Sequence, residues 1–329
     1  MAQIDRVLRS NIKLRHLQLI VALDEFRHLG RTAEFLSVSQ PAVSRMLGEV
    51  ESMFGLALFE RSTRGSEPTA AGEAIVRFAR SVLAEYERTR DEISAVESGA
   101  AGRTRVGCMV VALPVLLADA VALLKKRSAQ ATVLVEEGDL TRLLPRLRLG
   151  ELDLFVGRLE PGYAAPDLVT EVLFNEPMVA VVQPGHPLAG KARPGWGDLA
   201  ALPCVMPPPW ASLRVKLEQQ FFRHGLQPPT DLIETSSFLA QATFIGQRGA
   251  AGFMARSVAR HFEREGMVKV LSLKVPVDLP SIGLITLRGR TATATTRQLM
   301  DCLRQAAKPS HRAALPSSKT ATTRSRGIG

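Results

Sequence analysis

Cysteine, tryptophan and tyrosine are scarce in this chain of 329 residues: three, two and two, with aromatic residues at only 5%. Cys108, Cys204 and Cys302 lie too far apart for a CxxC metal pair and are too few for a disulfide framework. That usage points to a reducing, cytoplasmic setting. No apolar run approaches the ~20 residues that a membrane span needs, and the polar opening MAQIDRVLRSNIK has no signal-peptide core. Catalytic signatures are missing too. There is no GxSxG, no HExxH and no P-loop lysine; GQRGAAG (246–252) is not GxGxxG, and the six histidines sit in dissimilar contexts. These absences argue against an enzyme, and no catalytic residue, metal site or cofactor is expected.

A 46% hydrophobic content and this length allow two or three soluble domains with real cores. The net charge of +10 suggests nucleic acid at first sight, but residues 1–100 carry −1, residues 101–302 carry +5 and residues 303–329 carry +6. Bulk basicity therefore cannot carry a DNA-binding claim, and a local motif must.

That motif is LGRTAEFLSVSQPAVSRMLGEVESMF (29–54). Two short helical patterns meet at the polar corner Ser37-Val38-Ser39. In the second, Val43, Leu47, Val50 and Phe54 recur at steps of four, three and four and share one buried stripe. Ser39 stands at an N-cap position, and Pro41 falls in the first turn, where its missing N–H costs nothing. Gln40, Pro41, Ser44 and Arg45 occupy the opposite face, and small Ala33 lets the helices approach. This suits a helix-turn-helix with residues 40–53 as recognition helix, though a plain helical hairpin with a solvated face gives the same pattern. LFERSTRGSEPTAAGEAI (58–75) then offers Arg61 and Arg64, a turn at Gly65 and a new helix after Thr69, as a wing would.

Residues 14–75 resemble the DNA-binding domain of LysR-type transcriptional regulators through LRHLQLIVAL, RTAEFLSVSQPAVSRMLGEVE, LFERSTRG and TAAGE. GELDLFVG (150–157) and QPGHPLAG (183–190) extend the resemblance into the effector domain of that family. It implies base contacts from Gln40, Pro41, Ser44 and Arg45, with Arg61 and Arg64 on phosphate or in the minor groove. Two departures stand out. Gly48 and Glu49 replace longer, often basic side chains, and Gly30 replaces the usual hydroxyl residue ahead of the first motif helix, predicting a poor cap there.

In chain order, residues 1–12 read as a short arm, and Leu14, Leu17 and Val21 as the inner face of the first helix. A long pattern from about Ala71 to Val96 places Ile75, Phe78, Val82, Tyr86, Thr89, Ile93 and Val96 on one seam. It suits either packing on its own domain or pairing with a second copy, and the resemblance implies a linker helix of a dimer. SGAAGRT (98–104) reads as a hinge. Beyond it, strand candidates 104–109, 131–136, 152–157, 177–183, 203–206, 231–235, 250–254 and 281–287 alternate with helices 114–127, 138–149, 212–224, 237–247, 255–265 and 294–306. This predicts parallel sheets with helices on both faces.

The expected architecture is a winged helix-turn-helix (1–70), a linker helix and hinge (71–103) and a two-subdomain α/β effector domain of periplasmic-binding-protein type (104–305). Subdomain I would span about 104–160 and 267–305, and subdomain II about 161–266, with crossings near Glu160 and Gly266. Residues 306–329 read as a disordered tail. Effector-binding candidates are Met109, Val110 and Ala112 after the first strand, Trp210 and Ser212, and Thr235, Ser236 and Ser237 before a helix. Hydroxyls and helix-end N–H groups there suit an anion, although the last three also serve as simple caps. Met109-Val110 stands where relatives carry a hydroxyl, and Ala250 replaces the last glycine of a GxG turn. The expected partners are double-stranded operator DNA, a small anionic effector, further copies in a homodimer or dimer of dimers, and RNA polymerase. A solute-binding protein and an architectural DNA-binding protein are the alternatives, each explaining one half of the chain. A thiol switch is disfavoured, since only Cys204 falls in subdomain II.

Overall fold

The computed structural model describes residues 2–62, 65–98 and 102–308. The chain divides into two units, residues 1–103 with 144–152, and residues 104–143 with 153 onward.

The first unit opens on α1 (Ala2–Arg6) and a π-helical turn, Val7–Asn11. This corrects the expectation of an arm: Val7 is buried in the domain core, and its burial holds the segment helical. Next come α2 (Leu14–Phe26), α3 (Leu29–Phe35) and α4 (Gln40–Phe54). Leu17, Leu19, Ile20 and Leu23 supply the inner face of α2, whereas Leu14 is exposed and Val21 half-buried, so the core face is rotated from the expected one. The α4 stripe is buried as predicted, with Val43, Leu47 and Val50 sealed in one core with Ala33 and Phe54.

Backbone chemistry sets the angle between α3 and α4. Ser37 adopts φ 55°, and the N–H groups of Val38 and Ser37 donate to the carbonyls of Ala33 (3.0 Å) and Glu34 (3.1 Å). This paired closure is a Schellman turn with a serine where glycine is usual. Ser39 then caps α4, its Oγ accepting from the N–H of Ala42. Gly55 ends α4 at φ 65°.

Strands β1 (Phe59–Ser62) and β2 (Gly65–Pro68) form an antiparallel hairpin, and α5 (Ala70–Ser98) follows. Thr69 Oγ1 caps α5 and donates to the carbonyl of Ala57. A Cβ on Gly72 would lie 1.9 Å from the carbonyl oxygen of Leu58, so only glycine lets α5 dock here. The expected seam splits. Ile75, Phe78 and Val82 pack partly against their own domain beside fully buried Val76 and Ala79, while Tyr86, Thr89, Ile93 and Val96 are exposed.

The second unit holds two five-stranded sheets. Sheet I has the order β4 (Thr132–Glu137), β3 (Arg103–Cys108), β5 (Leu154–Arg158), β12 (Ile282–Leu287) and β6 (Leu168–Phe174). Sheet II runs β11 (Lys269–Val270), β7 (Met178–Val182), β10 (Ala251–Ala255), β8 (Cys204–Met206) and β9 (Leu232–Glu234). The expectation of parallel sheets is corrected: β3 and β5 are parallel, but β12 runs antiparallel to β5 and β6. Likewise β8 is parallel to β9 and β10, while β7 is antiparallel to β10 and β11.

Helices fill the connections: α6 (Ala118–Arg127), α7 (Leu140–Leu149), α8 (Trp196–Ala200), α9 (Ser212–Arg223), α10 (Phe238–Arg248), α11 (Arg256–Arg264) and α12 (Ala294–Ala306). Strands β6 and β11 and the short α8 are additional to the expected elements. Sheet membership also moves the crossings. Because β6 still belongs to sheet I and β11 to sheet II, the chain passes over at about 175–177 and returns at about 271–281, not near Glu160 and Gly266. At the far end, Ala306 and Ala307 are buried, so the folded domain extends past 305; the rest of the expected tail, from 309, lies outside the described residues.

The αL serine yields a test. Ser37→Gly should stabilise the protein by about 0.5–1 kcal/mol by removing a Cβ from a left-handed position, whereas Gly72→Ala should destabilise it. Chemical denaturation measures both, and a destabilised Ser37→Gly variant would contradict the turn assignment.

Candidate DNA-contacting and ligand-binding sites

On the first unit, Gln40, Pro41, Arg45, Gly48 and Glu49 are exposed along α4, and Ser44 is half-buried among them. Nothing lies within 4 Å of where a Cβ on Gly48 would stand, so the helix carries a bare notch beside Arg45. The side chain of Arg61 and the whole of Arg64 lie outside the described residues.

The predicted weak cap before α3 is corrected. His28 is the N-cap, and its Nδ1 accepts from the N–H groups of Gly30 (3.1 Å) and Arg31 (3.4 Å). A Cβ on Gly30 would crowd that ring at 3.1 Å, which fits glycine at this position. The wing is fastened to the helices from two sides. Glu51 of α4 accepts from the N–H groups of Leu58 (2.8 Å) and Phe59 (3.2 Å), and the carbonyl of Arg27 accepts from Ser66 N–H (2.8 Å). Arg27 also pairs with Asp24 and Glu67.

On the second unit, a cavity of about 600 Å³ opens at the strand ends. Of the predicted ligand residues, Met109, Val110, Trp210, Ser212, Thr235 and Ser236 line it. Two predicted residues do not. Ala112 is buried away from it, and Ser237 serves as the N-cap of α10, its Oγ accepting from Ala240 N–H. Trp210 is 86% exposed, which makes it part of the rim, not an inner wall.

Sequence reasoning missed the charged part of the lining: Arg158, Glu137, Asp139 and Glu160, with Tyr163 and Gln241. Asp139 is committed to the start of α7, where it accepts from Thr141 Oγ1 and from Arg142 N–H, and these bonds hold its carboxyl below the usual range. Arg158 ends β5 and is only 7% exposed, and burial pulls its guanidinium below its ordinary value against the opposing fields of Glu176 and Glu160. Among the described residues it has no carboxylate at ion-pair distance. A buried cation without such a counter-charge is costly unless something else supplies one. The signal was present in GELDLFVGR, where a lone arginine ends an otherwise apolar strand.

Two family descriptions match the chain. The bacterial regulatory helix-turn-helix family of lysR type covers residues 14–73, and the LysR substrate-binding domain covers residues 97–308. The chain belongs to the LysR family of transcriptional regulators. Among LysR relatives it is 31% identical to the regulator GbpR of Azospirillum brasilense over 94% of this chain and 90% of that one. It is 28% identical to PcaQ of Agrobacterium fabrum over 91% and 96%. The fold resembles that of crystalline CbnR, with TM-score 0.68 and 20% identity over 90% of this chain and 100% of that one. The protein is thus a LysR-type regulator with a helix-turn-helix DNA-binding domain and an effector-binding domain, not an enzyme. No helix among its described residues is long and apolar enough to cross a membrane, and none of their His, Cys, Asp and Glu side chains cluster as a metal site would require.

As a LysR protein it lacks a prepared redox thiol. Cys108, Cys204 and Cys302 are all buried, and burial pushes the first two up to about 12. A thiol held protonated in this way is a poor nucleophile.

One buried histidine in the DNA-binding domain gives a pH test. His16 is fully buried, its Nδ1 accepts from Lys13 N–H (3.2 Å), and burial lowers its pKa from 6.5, against an opposing pull from Glu49. The unfolded chain therefore takes up a proton more readily than the folded one. Stability contributed by neutral His16 is complete above about pH 6.5 and is lost as pH falls toward the lowered folded value. Thermal midpoints of His16→Gln should fall less steeply between pH 6.5 and 5 than those of the parent, and parallel curves would assign the decline to other groups.

Proposed function

We propose that this LysR regulator docks α4 in the major groove of an operator, with Gln40, Pro41, Ser44 and Arg45 contacting base edges and Arg61 and Arg64 holding the backbone. Gly48 admits DNA close to the helix, and Glu49 turns sites with a nearby phosphate away. Arg45→Ala should cost about 1–3 kcal/mol on an operator selected from random duplexes and far less on unrelated DNA. Fluorescence anisotropy measures both, and equal losses would remove the base-reading role.

It acts as a homodimer or dimer of dimers in the cytoplasm and reaches RNA polymerase from the operator. The exposed stripe Tyr86, Thr89, Ile93 and Val96 is the pairing seam, and Val96 is 85% exposed without such a partner. Ile75 and Val82, nearer the wing on the same helix, are spent partly inside the domain. Ile93→Glu with Val96→Glu should therefore release smaller species and weaken operator binding, as two half-sites need two recognition helices. An unchanged sedimenting mass would place the interface elsewhere.

The effector we infer is a small organic acid with one carboxylate and an apolar or aromatic body. The observation that carries this reading is Arg158, a buried cation on the cavity wall with no carboxylate at ion-pair distance among the described residues. Met109, Val110, Phe238, Phe253 and Leu279 supply an apolar surround. Glu137 and Glu160 on the same lining disfavour a second negative charge. The expected position of the carboxylate thus moves from the turn at 235–237, where Thr235 and Ser237 are occupied in local hydrogen bonds, to Arg158.

A further inference from the structure

The two segments that join the subdomains both meet one side chain. Arg158 Nη1 donates to the carbonyl of Pro280 at 2.8 Å, and Nη2 donates to the carbonyl of Glu176 at 3.4 Å and reaches Met178 Sδ at 4.0 Å. Glu176 lies in the outgoing crossing and Pro280 in the returning one. Arg158 itself stands on sheet I, so subdomain I grips both crossings through a single guanidinium. Subdomain II holds the returning crossing from its own side: Gln220 of α9 donates to the carbonyl of Pro276 (3.1 Å), and Lys216 to that of Asp278. Ser281 Oγ donates to Asn175 Oδ1 at 2.6 Å and ties the crossings together.

A guanidinium has five N–H donors, and these contacts use three of them. Two of the three are weak by distance or acceptor type. The group keeps its charge and spare donors at the wall of a cavity large enough for a small acid. A carboxylate is the stronger acceptor by a wide margin, because both partners are charged and the fork can be met by two oxygens.

We propose that Arg158 is the anion receptor of the cleft and also the link that transmits occupancy to both crossings. A bound carboxylate draws the guanidinium toward the cavity, re-aims its bonds to the Glu176 and Pro280 carbonyls, and so biases the angle between the subdomains. The inference rests on the acid-effector reading above. It requires only that the acid bind one angle better than the other. A lysine at 158 would keep the charge but lose the fork that spans two carbonyls.

The test uses the full chain with Lys126→Cys and Glu265→Cys as exposed spin-label sites, one in each subdomain; the native cysteines are buried. Benzoate, 4-hydroxybenzoate and salicylate are titrated against benzamide, glucose and galactose, with thermal shift and pulsed electron resonance distances as readouts. At least one of the acids should raise the midpoint and move the label distance in the parent, with the neutral compounds inert. Arg158→Gln and the apolar control Arg158→Met should lose on the order of tenfold or more in affinity for that acid, and their label distances should broaden without any ligand. Arg158→Lys should keep part of the acid response while showing the same broadening. An Arg158→Gln or Arg158→Met protein that binds the acid as the parent does overturns the inference and leaves the acid reading intact. A parent that responds to a sugar and to none of the acids overturns the acid reading itself, and the inference with it. Unchanged distances in all three variants overturn the hinge role.

Discussion

Backbone that passes between two sheets has no ladder to satisfy it. Every N–H and C=O there must find another partner, and a buried one left alone costs as much as a lost hydrogen bond. Around this constraint the effector domain is arranged. The carbonyls of Glu176, Pro276, Asp278 and Pro280 are all met by long side chains, Arg158, Gln220 and Lys216, reaching in from the two subdomains. Side-chain partners of this kind can be exchanged, which a strand ladder does not allow without unfolding. The two sheets can therefore be rigid internally and still change their relative angle.

What the chain disclosed directly was governed by local periodicity. The stripe of α4, its serine cap and its proline follow from residues within a few positions of each other, and the structure keeps them. The inner strands of sheet II, β7, β8 and β10, are buried throughout, show as apolar runs such as Met178–Val182 and lie within a residue or so of their expected bounds. Strand β6 escaped because Leu168–Phe174 is a half-exposed edge whose pairing comes from β12, more than a hundred residues away. The antiparallel placement of β12 was hidden for the same reason. For Arg158 the chain shows a lone charge at the end of an apolar strand but not what it meets: its partners stand 18 and 122 positions along the chain, and no local pattern marks such a meeting. Ser237 shows the opposite error, a hydroxyl in the right neighbourhood whose lone pairs serve its own helix.

The long helix α5 carries a related lesson. Its apolar positions form one continuous series in the sequence, yet physically they serve two purposes. Near the wing, Val76 and Ala79 complete the core of the DNA-binding domain and draw Ile75, Phe78 and Val82 with them. Further on, Tyr86, Ile93 and Val96 turn increasingly to solvent, from 45% to 85% exposed. A seam read from spacing alone cannot show where the supply of intramolecular surface ends. That boundary is set by how far the preceding helices extend along α5.

The fastening of Glu51 to the amides of Leu58 and Phe59, with Arg27 to Ser66 behind it, makes the recognition helix and the wing one mechanical piece. Transplanting operator preference between relatives therefore has a natural seam. A graft cut between α4 and β1 would strand a carboxylate on one parent and its two amides on the other. A cut after Pro68 keeps Glu51 with its two amides and Arg27 with Ser66, and the Thr69 bond to the carbonyl of Ala57 then joins the two parents.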